Sequence, residues 1–173
     1  MEMKLFVFFI FSTFVASKDL RLTKTIREED FPFLLDVNEE SKKEFTDVLF
    51  SWNITLTQKI NLLDSWANKQ SDGVKKDYEE WKSEVQGFIN LMKTLHEKKT
   101  ANYSAEAKLA DQKFFEISQN DELTPQQKCE YFWNLYNFAS EKVRNEAKLR
   151  SPSSYNCSEP PKFISKTFDI DHD

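Results

Sequence analysis

The feature that most constrains this chain is a stripe of seven apolar residues, Val74, Tyr78, Trp81, Val85, Phe88, Met92 and Leu95, separated alternately by four and three positions. That spacing keeps all of them on one side of an α-helix, while the intervening Lys, Asp, Glu, Ser, Gln and Asn leave the other side in water. A helix over 74–98 would be about 37 Å long at the standard rise, enough to act as a spine for shorter helices. The expected fold class is therefore all-α, with about five amphipathic helices packed around one long central helix. Glycine usage agrees, because Gly73 and Gly87 are the only two and a strand-rich fold needs more material for tight turns.

The flanking segments supply the other helices. Phe45, Val48, Leu49 and Trp52 predict one over 39–52, with Asn38 as its cap. Thr55 with Gln58 three positions on has capping-box spacing and opens a second, which carries Leu56, Ile60, Leu63 and Ala67 with Leu62 and Trp66 beside them. Ser71-Asp72-Gly73 provides the turn before the long helix. Ser104 caps a fourth helix through Ser118, built on Ala107, Ala110, Phe114 and Ile117. Thr124-Pro125-Gln126-Gln127 opens a fifth, which the period of Cys129, Phe132, Tyr136, Ala139, Val143 and Ala147 carries to about Lys148. A second line on it, Tyr131, Leu135 and Phe138, widens its apolar face. Such breadth means burial on two sides or a greasy surface for a ligand or partner. Leu56-Thr57 and Leu123-Thr124, each with a Trp about ten residues along (Trp66, Trp133), also suggest two related helix–loop–helix halves.

With 173 residues the chain is expected to hold one domain, over 39–149. Residues 18–38 read as a mostly irregular strap in which Phe31-Pro32-Phe33-Leu34-Leu35 packs on the domain, and 150–173, with Pro152, Pro160 and Pro161, as a tail. Residues 1–17 read as a secretory signal: Lys4, an apolar run from Leu5 to Val15 too short to span a bilayer, then Val15-Ala16-Ser17 as a cleavage site. In an extracellular protein Asn53-Ile54-Thr55, Asn102-Tyr103-Ser104 and Asn156-Cys157-Ser158 are N-glycosylation acceptors. The only two cysteines, Cys129 and Cys157, are expected to form a disulfide tying the tail to the fifth helix, the other pairing being intermolecular. A net charge of -5 from interspersed charges, with no basic block, argues against a nucleic-acid partner.

Catalytic patterns fail on reading. The two glycines form no phosphate loop, and the cysteines lack CxxC spacing. His96-Glu97-Lys98-Lys99-Thr100 begins like a zinc-protease helix but has Thr where the second ligand belongs. His96 is then expected at the surface and His172 in the tail. No segment has the alternating oxygen ligands of a calcium loop. Two acidic clusters remain, Asp121-Glu122 between the fourth and fifth helices and Asp169, Asp171 and Asp173 in the tail, for which solvated surface charge is the simpler account.

Leu56-Thr57 before a helix ending in Trp66-Ala67, Val74-Lys75 with Tyr78 and Trp81, Ser104-Ala105-Glu106-Ala107 leading to Ala110-Asp111, and Leu123-Thr124 opening the last helix together resemble the SXP/RAL family of secreted nematode antigens. The resemblance covers roughly 45–146. It implies a secreted, immunogenic all-α domain, catalogued as cation-binding and without assigned catalysis, and it transfers no ligand set to particular residues. The cysteine pair and the Pro-containing tail depart from the family pattern. The resulting expectation is a non-catalytic secreted binding protein, acting on a divalent cation (Mg or Ca, with Asp121 and Glu122 as the candidate ligands) or on a host or worm protein. The alternative is a carrier of a small apolar ligand such as a fatty acid, held between the aromatic face of the fifth helix and the Trp/Phe side of the long one.

Overall fold

Helices in this chain begin where a side-chain oxygen can receive the free N–H groups of a first turn. In a computed structural model, which describes residues 31–149 and 157–158, six α-helices are present. Helix α1 (Glu39–Leu49) is capped by Asn38, whose side chain accepts from the Ser41 amide. Helix α2 (Leu56–Ala67) opens with the complete capping box of Thr55 and Gln58, and α3 (Asp72–Lys99) is capped by Ser71. Ser104 caps α4 (Ala105–Gln119), and Thr124 with Gln127 forms a second complete box ahead of α5 (Pro125–Phe138). Two departures from expectation stand out. Helix α1 stops at Leu49, short of Trp52, and α5 stops at Phe138 instead of running to Lys148. Ala139 is extended (φ −74°, ψ 137°), and Ser140 caps a separate α6 (Glu141–Glu146). The apolar period runs in phase across this break, which is why the sequence reads as one helix.

The principal core is aromatic. Phe31, Phe33 and Leu34, around a 3-10 turn at Pro32–Leu34, are buried against Phe45 and Leu49 of α1, Leu63 and Trp66 of α2, and Val74, Tyr78 and Trp81 of α3. Phe33 lies at its centre. Its ring centroid is 5.2 Å from Phe45, 5.5 Å from Trp81, 5.7 Å from Tyr78 and 6.0 Å from Trp66, within the range of favourable edge and tilted contacts. Across the surface of this core Asp64 accepts from Tyr78 Oη at 2.7 Å and pairs with Lys82 at 2.6 Å, clamping α2 to α3. The long helix is central only through its first half. Val85 and Phe88 are half-buried, while Leu91 and Leu95 are 53% and 49% exposed, because α3 outruns the elements that cover it.

A second packing unit forms from α4, α5 and α6. Ala107, Ala110, Val143 and Ala147 are buried, and Phe114 stacks on Phe132 at 4.5 Å. Glu146 of α6 accepts from both the backbone and the hydroxyl of Ser104, the cap of α4, and these bonds hold its carboxyl below the usual range. His96 is half-buried rather than at the surface: its Nε2 lies 2.8 Å from Asp111 Oδ2 and its ring stacks on Phe115 at 4.9 Å.

The two units repeat a set of caps and buried lysines, in a register different from the one suggested by the two Trp residues. Thr55, Gln58 and Lys59 recur at one constant offset as Thr124, Gln127 and Lys128, followed by the helix caps Ser71 and Ser140, each accepting from the N–H of a valine. Trp66 thus matches Leu135, not Trp133. Lys59 donates to the Leu49 carbonyl at 2.8 Å and Lys128 to that of Ser118 at 2.9 Å, so each buried ammonium closes the end of the preceding helix. The two interhelix loops then join reciprocally. Thr57 N donates to Asp121 O at 3.4 Å, and its counterpart Gln126 N donates to Trp52 O, the counterpart of Asp121, at 3.3 Å.

Candidate functional site

Once the caps and the buried lysines have fixed α4 and α5 antiparallel, their outer surfaces are left facing water. Between them runs an open groove of about 400 Å³, lined by Lys113, Glu116 and Ile117 of α4 and Tyr131, Asn134, Leu135 and Phe138 of α5. Phe114 and Phe132, half-buried, stack on one another between the two helices, and the apolar residues that line the groove are Ile117 of α4 with Tyr131, Leu135 and Phe138, the second line of α5. Phe138 is 90% exposed and Tyr131 49%. Exposure of that degree for a phenylalanine leaves a large apolar surface in water that folding alone does not use. All three face residues expected from the sequence, Tyr131, Leu135 and Phe138, are brought together here. Helix α3 contributes none of the lining: its Tyr78 and Trp81 are spent on the aromatic core, and the groove is formed by α4 and α5 alone. Ile117 was expected on the apolar side of this helix, whereas Lys113 and Glu116 were not singled out by sequence reasoning; their spacing of three along α4, beside Ile117, is the signal that could have found them.

The corresponding face of the first unit is built differently. Lys113 and Phe138 occupy the positions of Glu44 and Lys69, which form an ion pair at 2.8 Å across α1 and α2. Where the first unit bridges its two helices with opposite charges, the second presents a cation and a bare aromatic ring.

The loop carboxylates lie elsewhere. Asp121 and Glu122 are both exposed, and Glu122 Oε1 accepts from Thr57 Oγ1 at 2.8 Å while the Asp121 carbonyl is engaged by Thr57. Among the described residues no three His, Cys, Asp or Glu side chains converge on a point that could hold a metal. Calcium takes six to eight oxygens, so two carboxylates at a crossover do not constitute such a site. They match only the sparse demand of a magnesium ion that keeps most of its water. Asp169, Asp171, Asp173, His172, residues 1–17 and Asn156 lie outside the described residues. Asn53 and Asn102 are exposed, in the α1–α2 loop and in a 3-10 turn at Thr100–Asn102.

The disulfide joins Cys129 of α5 to Cys157, with Cα atoms 5.6 Å apart. The Trp52 indole N–H donates to the Cys157 carbonyl at 3.0 Å, so this bridge sits against the paired loops, on a different side of α5 from the groove. Arg144 lies over the Tyr136 ring at 4.7 Å, a cation–π contact that holds α6 to α5. Burial moves the Lys59 ammonium down to about 8 from an ordinary 10.5, with Lys128 nearby adding to the effect; Lys128 is also lowered by burial, opposed by Asp121. Both lysines are held by carbonyls and reach no groove, which makes them structural. Among the described residues no helix is long and apolar enough to cross a membrane.

Comparison with known proteins gives one result. A family model described as SXP/RAL-2 family protein Ani s 5-like, metal-binding domain, matches residues 1–145. No curated protein matches the chain, and no solved structure does.

Proposed function

The chain belongs to the SXP/RAL-2 family, and on that footing we propose that it is a secreted, non-catalytic binding protein whose docking face is the groove between α4 and α5. One observation carries this reading: Phe138 stands 90% exposed beside Tyr131, Leu135 and Ile117, at the position where the first unit has Lys69 in an ion pair with Glu44. A face of this kind takes the apolar side of a protein partner, with Lys113 and Glu116 setting orientation at its edge. The experiment uses the glycosylated, disulfide-intact chain as bait on host serum and worm extract, with captured proteins identified by mass. A partner retained by the parent and lost with Tyr131→Ser/Leu135→Ser/Phe138→Ser, in a variant of unchanged helicity, supports the face. A partner retained equally by both removes it. The carrier alternative predicts saturable enhancement of a fluorescent fatty-acid analogue that oleate reverses.

A second reading rests on the family description as a metal-binding domain. Asp121 and Glu122 would hold a hydrated magnesium ion beside the paired loops, with water completing the shell. Calorimetric titration of magnesium, then calcium, into chelator-stripped protein tests it. Saturable heat lost in Asp121→Asn/Glu122→Gln supports these ligands, and absence of heat rejects them. Secretion carries with it glycans at Asn53, Asn102 and Asn156, measurable as a mass loss on enzymatic deglycosylation.

A further inference from the structure

Resting on the reading of the α4–α5 groove as a docking face, we propose that the chain regulates that face itself: its C-terminal tail, 159–173, occupies the groove and competes with any external partner. Residues 159–173 lie outside the described residues, but the point from which they depart is fixed. Cys157 is bonded to Cys129 near the start of α5, and its carbonyl receives the Trp52 indole N–H at 3.0 Å. The tail therefore leaves beside the helix that supplies most of the groove lining. The surface in between is open. At about 100° per residue, Trp133, Asn137, Glu130 and Asn134 succeed one another around α5 from the side of Cys129 to that of Phe138 and Tyr131. All four are exposed. The exposed rings of Trp133, Phe138 and Tyr131 thus form a band that leads around the helix from the bridge into the groove.

Reach and composition select the tail as the occupant. Half the circumference of a helix about 11 Å across is about 17 Å, and an extended chain covers about 3.3 Å per residue. Phe163 follows Cys157 by six residues, about 20 Å of chain, so the first large apolar residue of the tail comes where the groove falls within reach. Ile164, Phe168 and Ile170 follow it. They have chain to spare for the roughly 14 Å along α5 from Cys129 to Phe138. Apolar side chains on a tether and an apolar groove beside its anchor bury one another without the entropic cost of bringing two molecules together. The other long segment outside the described residues, 1–30, adjoins Phe31, which lies in the aromatic core of the first unit.

A short tether gives an effective concentration on the order of 1 mM. A tail with an intrinsic dissociation constant of about 0.1 mM then leaves the groove open about one-tenth of the time and weakens an external ligand about tenfold. The test titrates the apolar dye anilinonaphthalene sulfonate into the full, disulfide-intact chain. The parent is compared with the tail variant Phe163→Ser/Ile164→Ser/Phe168→Ser/Ile170→Ser, which keeps every tail charge, and each is repeated with Phe138→Ser added. Helicity is checked throughout. The expected result is dye bound about tenfold more tightly by the tail variant than by the parent, with the gain removed by Phe138→Ser and the parent's masking unchanged over about a hundredfold dilution. Equal binding by parent and tail variant, lost from both with Phe138→Ser, overturns the tail as occupant and leaves the docking face standing. Equal binding indifferent to Phe138→Ser overturns both. A gain that survives Phe138→Ser places the tail on another surface, and masking that fades on dilution makes the occupant a second copy; either result overturns the proposal.

Discussion

Truncating Phe33 to alanine should be the most damaging single change to the first unit. Phe33 is 1% exposed and has five aromatic neighbours, Phe31, Phe45, Trp66, Tyr78 and Trp81, at centroid distances from 5.2 to 6.1 Å. A buried Phe→Ala change costs about 3–5 kcal/mol, depending on how far the site collapses. Five large rings, with α1, α2 and α3 anchored by caps and by the Asp64–Lys82 pair, leave little room to collapse, so the upper half of that range is expected. At about 4 °C per kcal/mol for a domain of this size, the melting temperature should fall by about 16–20 °C. Urea unfolding followed by circular dichroism and Trp fluorescence would measure it, with Leu35→Ala as the control: Leu35 is 60% exposed and its loss should cost less than about 0.5 kcal/mol. A Phe33→Ala variant within about 1 kcal/mol of the parent would refute the placement of the 31–34 turn in the core.

Three further outcomes follow from the same geometry. Lys59 has a folded pKa of about 8 against 10.5 unfolded, so the unfolded chain binds more protons between those values and stability should rise through that window, by on the order of 2 kcal/mol from pH 7.5 to 9.5; denaturant midpoints measured below pH 10 avoid Tyr78, whose raised pKa acts in the opposite sense. Lys148 sits at φ 54° after α6, with the Leu149 amide bonded back to the Arg144 carbonyl at 2.9 Å, so Lys148→Gly should stabilise by about 1 kcal/mol in the same assay. Reducing Cys129–Cys157, which closes a separation of 28 residues, should cost about 3 kcal/mol and shift Trp52 emission as its indole loses the Cys157 carbonyl.

Helix starts were legible in the sequence because capping chemistry is local. Asn38, Thr55, Ser104 and Thr124 each sit within three residues of the amide they receive. The break at Ala139 was hidden by a period that continues in phase through it. The signal was present as Ser140-Glu141-Lys142-Val143 echoing Ser71-Asp72-Gly73-Val74, visible only in the register set by Thr55 and Thr124. Lys59 and Lys128 drew no attention in the sequence, yet are 4% and 2% exposed. Their burial depends on a carbonyl ten residues back, a partner that only the turned chain supplies. The α3 stripe is continuous in sequence but fully buried only to Trp81, with Val85 packed at the core's edge, since periodicity records which side is apolar and not how far the neighbours reach. At the groove, Tyr131, Leu135 and Phe138 were legible as a broad face, whereas Lys113 and Glu116 acquire meaning only from the antiparallel pairing of α4 and α5.

The docking face is tested most directly by amide NMR spectra of the full chain titrated with the protein it captures from host serum or worm extract. The account predicts progressive shifts confined to residues around Lys113, Glu116, Ile117, Tyr131, Leu135 and Phe138, abolished by Phe138→Ser. Shifts centred instead on Leu91 and Leu95 of α3 or on Leu62 of α2, or a spectrum that does not change as the partner is added, would contradict it.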